Sequence, residues 1–426
     1  MKTLGQVAEF LSGGTPRKGV SVYWGGDIPW YSASNMTRRF LKDDEPKITS
    51  AGLEAGSRLA PPGATLILVR GSGLFNHIPI CFADAPVAFN QDVKAICPRE
   101  GTDPLFLHFW IESLRPILKE SIGVTGIGAG KFDLSFLQGL PFPDLPIERQ
   151  EAIGKLAASF DRKIELNRRM NATLETMARA IFRDWFVDFG PTRAKMEGRA
   201  PYLAPDLWPL FPDRLDDEGK PEGWEMSEIG KEATAVGGST PSTKEPAYWG
   251  GNINWATPKD LSSLKAPVLL ETSRTITEAG LEKISSGLLP EGTVLLSSRA
   301  PIGYVAIAAV PVAVNQGFIA LKCEGRLSKE FVWQWLHAFM DEIKGNANGS
   351  TFQEISKKNF RPLPVVVPSE PARSAFDAIV SPMLERIIAN ERESRTLAQT
   401  RDLLLPRLMS GELRVAEAEK IVEEAL

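Results

Sequence analysis

Hydrophobic residues recur every seven positions in two long segments of the chain, and each segment follows a proline-flanked apolar stretch. In the first segment this period selects Ile153, Phe160, Asn167, Leu174 and Ile181. In the second it selects Phe376, Met383, Asn390, Leu397 and Leu404, at a constant offset in the numbering, since 376 − 153 = 223. In each segment a second series follows four residues after the first. The repeat predicts two long helices that carry a coiled-coil seam.

Asn167 and Asn390 occupy the middle position of the five in each series. A polar residue in a coiled-coil seam lowers stability but fixes the register and the choice of partner. Because the asparagine is central in both helices, antiparallel pairing about a pseudo-twofold axis brings the two amides close together. We therefore expect the helices to pair with each other. The alternative is two amphipathic helices that pack separately on their own domains.

The residues that precede each long helix form a second repeat. The segment Tyr23–Trp30 recurs as Tyr248–Trp255, and the offset in the numbering is 248 − 23 = 225. Other pairs that return at this offset are Thr15-Pro16 with Thr240-Pro241 and Asn90-Gln91 with Asn315-Gln316. The shared residues are mainly glycines, tryptophans and a Pro-Gly turn before an apolar strand, which are typical of a scaffold. A repeat of this length indicates two copies of a whole domain and two similar sites.

The composition describes a globular chain that can bury substantial cores. The chain has 426 residues, of which 43% are hydrophobic and 24% are charged. No run approaches the roughly 18 apolar residues of a membrane span, and the N-terminus lacks a signal-peptide core, so we expect a cytoplasmic protein without membrane association. The net charge of −4 excludes a surface that is basic overall. Any DNA contact must be local, or a partner must supply much of the phosphate neutralisation.

The sequence contains no recognisable catalytic, metal or cofactor motif. The three histidines lack ligand-type residues at suitable spacing, and the three cysteines are widely separated in apolar contexts. The loop Gly126–Lys131 superficially suggests a phosphate loop, but Thr125 replaces its first glycine and Phe132 replaces its Ser or Thr. The adenine-methylase tetrapeptides Asn-Pro-Pro-Tyr and Asp-Pro-Pro-Tyr are absent. We therefore expect a chain that is not an enzyme and has no metal site.

Taken together and in order, the motifs of this chain resemble those of the specificity subunits of type I restriction-modification systems. The motifs are Gly13-Gly14-Thr15-Pro16 with Trp24-Gly25-Gly26, Gly238-Ser239-Thr240-Pro241 with Trp249-Gly250-Gly251, Ala313-Val314-Asn315-Gln316-Gly317, Gly349-Ser350-Thr351, Ile181–Phe189 and Leu403–Gly411. The resemblance covers nearly the whole chain. It implies an α+β fold with two α/β target recognition domains, which are separated by two long antiparallel helices forming a coiled coil with a pseudo-twofold internal repeat.

The resemblance also implies a function. Each recognition domain is expected to read one half of a bipartite site in double-stranded DNA, while the helices set the spacer and dock two methylase subunits. The chain itself is expected to bind no cofactor. Partner subunits methylate adenine N6 with S-adenosylmethionine, and restriction subunits translocate and cleave DNA with ATP and Mg²⁺. The alternatives are a stand-alone DNA-binding regulator, or the specificity chain of a modification-only or other multisubunit restriction enzyme.

The domain boundaries follow from the two repeats and the proline-rich stretch between them. We predict recognition domain 1 at 1–146, the first spacer helix at 147–189, a Pro-rich connector at 190–223, recognition domain 2 at 224–368, the second spacer helix at 369–412 and an acidic tail at 413–426. The aromatic residues of the connector indicate that it is partly docked. The tail is expected to fray.

The candidate DNA-binding residues fall into two groups. Candidate base readers differ between the copies: Ser32, Ser34, Asn35, Arg38 and Arg39 in the first, Thr257 and Lys259 in the second. The remaining candidates are Arg70, Asn90, Gln91, Lys131, Arg299, Asn315, Gln316, Ser350 and Thr351.

For this second group, structural roles are the alternatives. Arg70 and Arg299 end equivalent strands, from which a guanidinium reaches phosphate or guanine or forms an ion pair. The Asn-Gln pairs can read adenine edges, but their identity in both copies favours a structural or phosphate role. Lys131 follows a glycine-rich loop that suits phosphate contact or is only a turn. We align this loop with residues 345–352, so that Phe132 matches Phe352.

Overall fold

The computed structural model describes residues 2–43, 46–124, 128–349 and 353–425 of the chain. These residues form two compact units. The first unit comprises Met1–Ile164 with Arg395–Leu426, and the second comprises Glu165–Ser394. Both boundaries fall inside the long helices, so each unit contains one globular copy and a part of both helices.

A five-stranded sheet forms the core of the first unit. Across the sheet, the strands are Ala8–Ser12, Val93–Pro98, Thr65–Leu68, Ile80–Ala83 and Phe40–Leu41. The first four strands pair antiparallel, and the last joins its neighbour in parallel. Thr65–Leu68 and Ile80–Ala83 are buried along their whole length, which explains why their sequences are nearly continuous apolar runs.

Two smaller sheets and several short helices complete the first unit. One sheet has the order Lys47–Ile48, Trp24–Tyr31, Val87–Phe89 and Leu59–Ala60, and the other has the order Gly123–Val124, Gly130–Lys131 and Arg70–Gly71. The α-helices are Leu4–Val7, Ser50–Glu54, Pro104–Ser113, Arg115–Glu120, Leu134–Gly139 and Val415–Ala425, with 3₁₀ turns at Ser21–Tyr23 and Ser72–Phe75. The acidic tail, which we expected to fray, is therefore helical in this structure.

The second unit repeats the main sheet of the first. Its strands, in the same order, are Thr234–Val236, Phe318–Lys322, Val294–Ser297, Val305–Ala308 and Val268–Leu269. Again the last pairing alone is parallel. A smaller sheet has the order Arg274–Ile276, Trp249–Ala256 and Val312–Val314, and Glu225–Glu228 pairs with Pro364–Val367. The predicted internal repeat of an α/β domain is confirmed.

The helices of the second unit follow the same plan. They are Gly190–Met196, Ile229–Glu232, Pro258–Ser262, Glu278–Leu281, Lys329–Ala338, Met340–Gly345 and Lys357–Phe360, with 3₁₀ turns at Trp208–Leu210 and Pro246–Tyr248. Equivalent helices start from equivalent caps: Asp103 accepts a hydrogen bond from Phe106 N at 2.8 Å, and Ser328 accepts one from Phe331 N at 3.1 Å. In the connector, Phe211 is buried against Trp185, with ring centroids 5.0 Å apart.

The two long helices are Ile147–Phe182, followed by a π-helical turn at Arg183–Val187, and Glu370–Ser410. In the first unit, the beginning of the first helix shares a core with the end of the second, and Ile153 and Phe160 are buried in the same cluster as Leu404. In the second unit, the end of the first helix shares a core with the beginning of the second. The pairing is antiparallel, and the predicted heptad seam is confirmed. None of the helices within the described ranges is long and apolar enough to cross a membrane.

Candidate nucleic-acid interface

Each unit contains a pair of strands that we call the tryptophan-glycine frame. The frame consists of Trp24–Tyr31 and Lys47–Ile48 in the first unit and of Trp249–Ala256 and Arg274–Ile276 in the second. The ring centroids of Trp24 and Trp30 lie 5.3 Å apart, and those of Trp249 and Trp255 lie 5.0 Å apart. Both pairs meet edge to face. The hydrogen-bond partners of these rings also repeat: Trp30 Nε1 donates to Gly14 O at 3.1 Å, and Trp255 Nε1 donates to Ser239 O at 3.2 Å. The repeated tryptophans therefore build the scaffold.

Between the two strands of each frame lies a segment that differs between the units. Before the segment the offset in the numbering is 255 − 30 = 225, and after it the offset is 277 − 49 = 228. Thr49 Oγ1 donates a hydrogen bond to Val22 O at 2.8 Å, and Thr277 Oγ1 donates one to Ala247 O at 2.7 Å. Because Val22 and Ala247 directly precede the equivalent Tyr23 and Tyr248, Thr49 and Thr277 are equivalent. The second unit thus carries three extra residues here. We call residues 32–45 and 257–273 the variable segments, and each supplies the edge strand of its main sheet, Phe40–Leu41 or Val268–Leu269.

In the first variable segment, the candidate side chains Ser32, Ser34 and Asn35 bond mainly within the segment. Asn35 Oδ1 accepts a hydrogen bond from Ser32 N at 2.8 Å, and its Nδ2 donates to Trp30 O at 3.0 Å. The hydroxyls of Ser32 and Ser34 lie 2.9 Å apart. These contacts hold the start of the segment against the frame, so Asn35 has a structural role whatever else it contacts.

Arg38 and Arg39 are adjacent in sequence, but the structure gives them different surroundings. Arg38 is exposed. Arg39 is half-buried, and its guanidinium forms ion pairs with Asp161 of the first long helix and with Glu112, whose Oε2 lies 3.5 Å from Nη2. These carboxylates hold Arg39 within the first unit. Arg39 is therefore a weaker candidate for base reading than Arg38.

The second variable segment is organised by a buried carboxylate. Asp260 accepts hydrogen bonds from Thr257 N and Oγ1 at 2.8 and 2.7 Å, and from Ser273 N at 2.8 Å. Burial alone would raise the pKa of Asp260, but these hydrogen bonds hold it below its ordinary value. The candidate Thr257 is thus part of a helix cap, whereas Lys259 is exposed in the first turn of Pro258–Ser262.

The two Asn-Gln pairs make the same contacts in both units. Gln91 Oε1 accepts a hydrogen bond from Thr15 Oγ1 at 2.8 Å, and Gln316 Oε1 accepts one from Thr240 Oγ1 at 2.7 Å. The asparagine Oδ1 atoms accept from the backbone, Asn90 from Asp92 N at 3.1 Å and Asn315 from Gly317 N at 2.8 Å. The asparagines therefore support a turn, while both glutamines remain exposed.

Three of the candidates in the first unit line one cleft of 440 Å³. The residues that line it are Val69, Arg70, Gln91, Asp92, Lys94, Lys131, Phe132, Asp133 and Leu134. Arg70 and Lys131 stand opposite each other on paired strands, and Arg70 Nε lies 3.0 Å from Asp92 Oδ1. Sequence reasoning missed Lys94, although a lysine inside the apolar strand Val93–Pro98 is a recognisable signal. The cleft holds three cations against two carboxylates.

The equivalent place in the second unit carries a different charge. Arg299 and Glu354 form an isolated antiparallel β-bridge, and Arg299 Nη1 lies 3.8 Å from Glu354 Oε2. Phe132 N donates to Val69 O at 2.9 Å, and Ile355 N donates to Ser298 O at 3.0 Å, so Phe132 is equivalent to Ile355. The alignment of Phe132 with Phe352 was therefore wrong by three residues. Glu354 takes the place of Lys131, and the candidates Ser350 and Thr351 lie outside the described residues.

The central asparagines of the long helices meet in the second unit. Asn167 Nδ2 donates to Asn390 O at 3.3 Å and to Glu393 Oε2 at 2.7 Å, while Asn390 Nδ2 donates to Asn171 Oδ1 at 2.8 Å. Asn167 and Asn390 are both buried. A shift of one heptad would separate these polar groups and leave them unpaired in an apolar seam.

The ionisable residues of the described ranges form no group of three or more His, Cys, Asp or Glu side chains suited to a metal ion. Burial lowers the pKa of His108 to about 3 and that of His337 to about 4, so both imidazoles are neutral near pH 7. Burial also raises the pKa of the Cys81 thiol to about 12.

These features define a recognition protein with two related surfaces on one duplicated scaffold. The model of the type I restriction modification DNA specificity domain matches residues 1–176 and 221–394. The chain therefore belongs to the family of type I restriction-modification specificity subunits. Specificity subunits carry out no catalysis of their own. Membership of this family also distinguishes the chain from a stand-alone regulator.

Individual relatives agree with this membership. The specificity subunit of the type I restriction enzyme MjaIX from Methanocaldococcus jannaschii is 27% identical over 98% of this chain and 94% of its own length. The HindI specificity subunit of Haemophilus influenzae is 27% identical over 66% of this chain and 70% of its own length. The crystal structure of a type I S subunit from M. genitalium has the same fold, with a TM-score of 0.57 at 15% identity over 96% of this chain and 95% of that chain.

Proposed function

We propose that this chain reads a bipartite site in double-stranded DNA, with one half-site recognised by domain 1 (1–146) and the other by domain 2 (224–368). The observation that carries the proposal is the position of the variable segments. Each interrupts the same frame between the same two strands, and the frame contacts on either side are repeated. A common scaffold that presents two different segments suits the reading of two different half-sites.

Membership of the family supports a proposal for the assembly. We propose that two methylase subunits dock on the long helices and methylate adenine N6 with S-adenosylmethionine, and that the helices set the spacer between the half-sites. Restriction subunits that use ATP and Mg²⁺ complete a full system, whereas their absence defines a modification-only enzyme. The proposed compartment is the cytoplasm, where the DNA and these subunits meet.

In domain 1, the cleft around Arg70, Lys94 and Lys131 is the proposed contact for the DNA backbone. Lys94 Nζ donates to Ser12 Oγ at 2.5 Å, and Arg70 is paired with Asp92, whereas Lys131 is exposed at the cleft edge. Phosphate contacts position a protein on DNA and need cations rather than a particular base. Lys131 is the cation best placed to supply such a contact, because it lies opposite Arg70 and is exposed at the edge of the cleft.

The test of the function is a methylation map. The chain is expressed with its methylase subunit, and each is expressed alone, in a host that lacks DNA methylation, and N6-methyladenine is read by single-molecule sequencing. We expect one split motif with a fixed spacer only when both proteins are present. Methylation by the methylase alone at the same motif would contradict the specificity role, as would an associated, soluble pair that methylates nothing.

The test of the cleft is the salt dependence of DNA binding by the assembled complex. Lys131→Ala should weaken binding at all sequences alike and lower the slope of log affinity against log salt by about 1. Lys119→Ala, which removes an exposed lysine of the same unit outside the cleft, is the matched control. An unchanged slope in Lys131→Ala would exclude this phosphate contact.

A further inference from the structure

The tryptophan-glycine frame of the second unit carries an arginine on its tryptophan pair. The Cζ atom of Arg274 lies 3.5 Å from the ring centroid of Trp249 and 5.5 Å from that of Trp255. Arg274 begins the strand Arg274–Ile276 and stands directly opposite Trp255. Its side chain is exposed, so the guanidinium covers the indole of Trp249 from the solvent side. Nothing in the expected set of DNA-binding residues included it.

Among the described residues of the first unit, no arginine lies on the tryptophan pair, although the frame is built in the same way. Trp30 N donates to Pro46 O at 2.9 Å, which places Pro46 at the position that Arg274 occupies opposite Trp255. The neighbouring Lys47 is tied to Asp43, with Nζ 2.6 Å from Oδ1. By contrast, no carboxylate of the described residues forms an ion pair with Arg274. The arginine is therefore specific to the second domain.

The stacking prepares Arg274 for a ligand. An arginine that lies against an aromatic face keeps its planar fork of N–H donors in a fixed orientation, so less conformational entropy is lost when those donors bind. The fork matches phosphate oxygens or the O6 and N7 atoms of guanine, both of which occur in DNA.

Arg274 also lies at the edge of the reading surface. It directly follows the second variable segment, whose end is fixed by the hydrogen bond from Ser273 N to Asp260 Oδ1 at 2.8 Å. The guanidinium thus lies on the tryptophan pair of the frame, at the residue where the segment that differs between the units ends. We propose that Arg274 contacts the DNA of the second half-site and that domain 1 has no equivalent contact. This inference rests on the proposed function.

The experiment measures DNA binding by the chain assembled with its methylase subunits, using a duplex that carries both half-sites and a second duplex whose second half-site is scrambled. Arg274→Ala should weaken binding to the first duplex about 10-fold, in line with the loss of one bidentate contact. Arg274→Met keeps an apolar cover on Trp249 without the donors, and it should bind as weakly as Arg274→Ala. Arg274→Lys keeps the charge and should recover part of the loss. Lys231→Ala, which removes an exposed cation of the same unit paired with Glu228, should bind like the wild type.

A methylation map of the same variants separates the two kinds of DNA contact. A phosphate contact predicts an unchanged motif, weaker methylation and a salt slope lower by about 1. A guanine contact predicts relaxed specificity at one position of the second half-site only. Either result supports the inference.

Two results would overturn it. If Arg274→Ala binds DNA as tightly as the wild type, Arg274 makes no contact with DNA. If Arg274→Met binds as tightly as the wild type, Arg274 only covers the indole. If the wild-type complex itself does not distinguish the two duplexes, the proposed function fails, and this inference fails with it. Melting temperatures of all variants should agree within about 2 °C, because an exposed side chain outside the core has little effect on stability.

Discussion

Single glycines allow the two strands of the frame to approach each other closely, and Gly26 is the clearest case. A Cβ atom added at Gly26 would lie 2.6 Å from Ile48 O and 2.6 Å from Thr49 Cα, which are both backbone atoms. The equivalent Cβ at Gly251 would lie 2.5 Å from Ile276 O. The bulge in each frame therefore requires the glycine for close approach of two backbones, independently of any DNA contact.

We predict that Gly26→Ala destabilises the first unit by about 1 to 3 kcal/mol, since the partner strand must move to relieve overpacking. Gly19→Ala is the control, because a Cβ at Gly19 meets nothing within 4 Å. Thermal unfolding of the two variants provides the comparison. Equal melting temperatures for the two variants would show that the strands accommodate the added Cβ atom without loss of stability.

A second residue-scale prediction concerns Glu175 in the helix pair. Burial, together with the charge of Glu391, raises the pKa of Glu175 to about 7, against the opposing effect of Arg179. Burial also raises the pKa of Glu391, opposed by its hydrogen bond from Asn171 Nδ2 at 2.8 Å and by Arg168. Two carboxylates near the polar centre of the seam thus resist ionisation.

The sign of the effect follows from the raised pKa of Glu175. Its contribution to stability is fully present below the unfolded pKa near 4.5 and is lost as the pH rises through about 7. We expect the second unit to be more stable at pH 5.5 than at pH 8, by on the order of 1 kcal/mol once solvent screening of this partly exposed group is allowed for. Glu175→Gln should raise stability at pH 8 and flatten the profile between these values in urea unfolding. A Glu175→Gln profile as steep as that of the wild type would assign the pH dependence to other groups.

The sequence predicted those candidate residues whose contacts are local or repeated, and it missed those brought together by strand pairing. The tryptophan pairs and the Asn-Gln pairs recur at one offset, so their scaffold role could be recognised. Lys94 reaches the cleft only because Val93–Pro98 pairs with Thr65–Leu68, and Arg274 meets Trp249 only across a bulged strand pair. No spacing along the chain encodes either contact.

At the scale of elements, the heptad period predicted the seam but not how the helices hold the first recognition domain. A charged cluster does this in the first unit: Arg39 pairs with Asp161, and Asp161 pairs with Arg401 of the second long helix. Asp161 and Arg401 are both about nine-tenths buried. Glu112 joins the cluster through Arg39 and through Arg115, whose Nε lies 2.6 Å from Oε2.

The second unit has apolar residues at the equivalent helix positions. Leu384 corresponds to Asp161, since 384 − 161 = 223, and Ala178 corresponds to Arg401, since 401 − 178 = 223. Both are buried. The long helices therefore tolerate an apolar pair at this place, and the charged pair in the first unit serves the contact with Arg39.

We predict that Asp161→Leu destabilises the first unit by about 3 kcal/mol, because Arg401 is left buried with only the exposed Asp402 as its partner. The double variant Asp161→Leu with Arg401→Met should recover much of this loss, since a buried ion pair replaced by apolar residues of similar volume is often neutral. Hydrogen exchange of the helix Pro104–Ser113 reports on the unit. Asp402→Ala, which removes only an exposed partner of Arg401, is the control. A double variant no better than Asp161→Leu would mean that the cluster acts mainly through Arg39.

At the scale of the whole molecule, the chain combines two similar scaffolds with different chemistry. The frames, the caps and the order of the main sheets repeat, whereas Lys131 is replaced by Glu354, Pro46 by Arg274, and a charged helix contact by an apolar one. Internal duplication explains the first set, because the same sequence pattern folds the same way twice. Divergence at the variable segments and clefts is what two different half-sites would select.

The last prediction tests whether the helices set the spacer. One heptad is inserted directly after Asn171 in the first helix and one directly before Asn390 in the second, so that the insertions face each other in the antiparallel pair. The seam keeps its period and lengthens by about 10 Å, which corresponds to about 3 base pairs of DNA.

We expect the methylation map of this double insertion to show the same two half-sites with a spacer longer by about 3 base pairs, provided the complex assembles. An insertion in one helix alone is the control, because it shifts the seam by one heptad on one side of the inserted residues. That variant should lose methylation together with its helix pairing. An unchanged spacer in the double insertion would exclude the helices as the ruler and move that role to the methylase subunits.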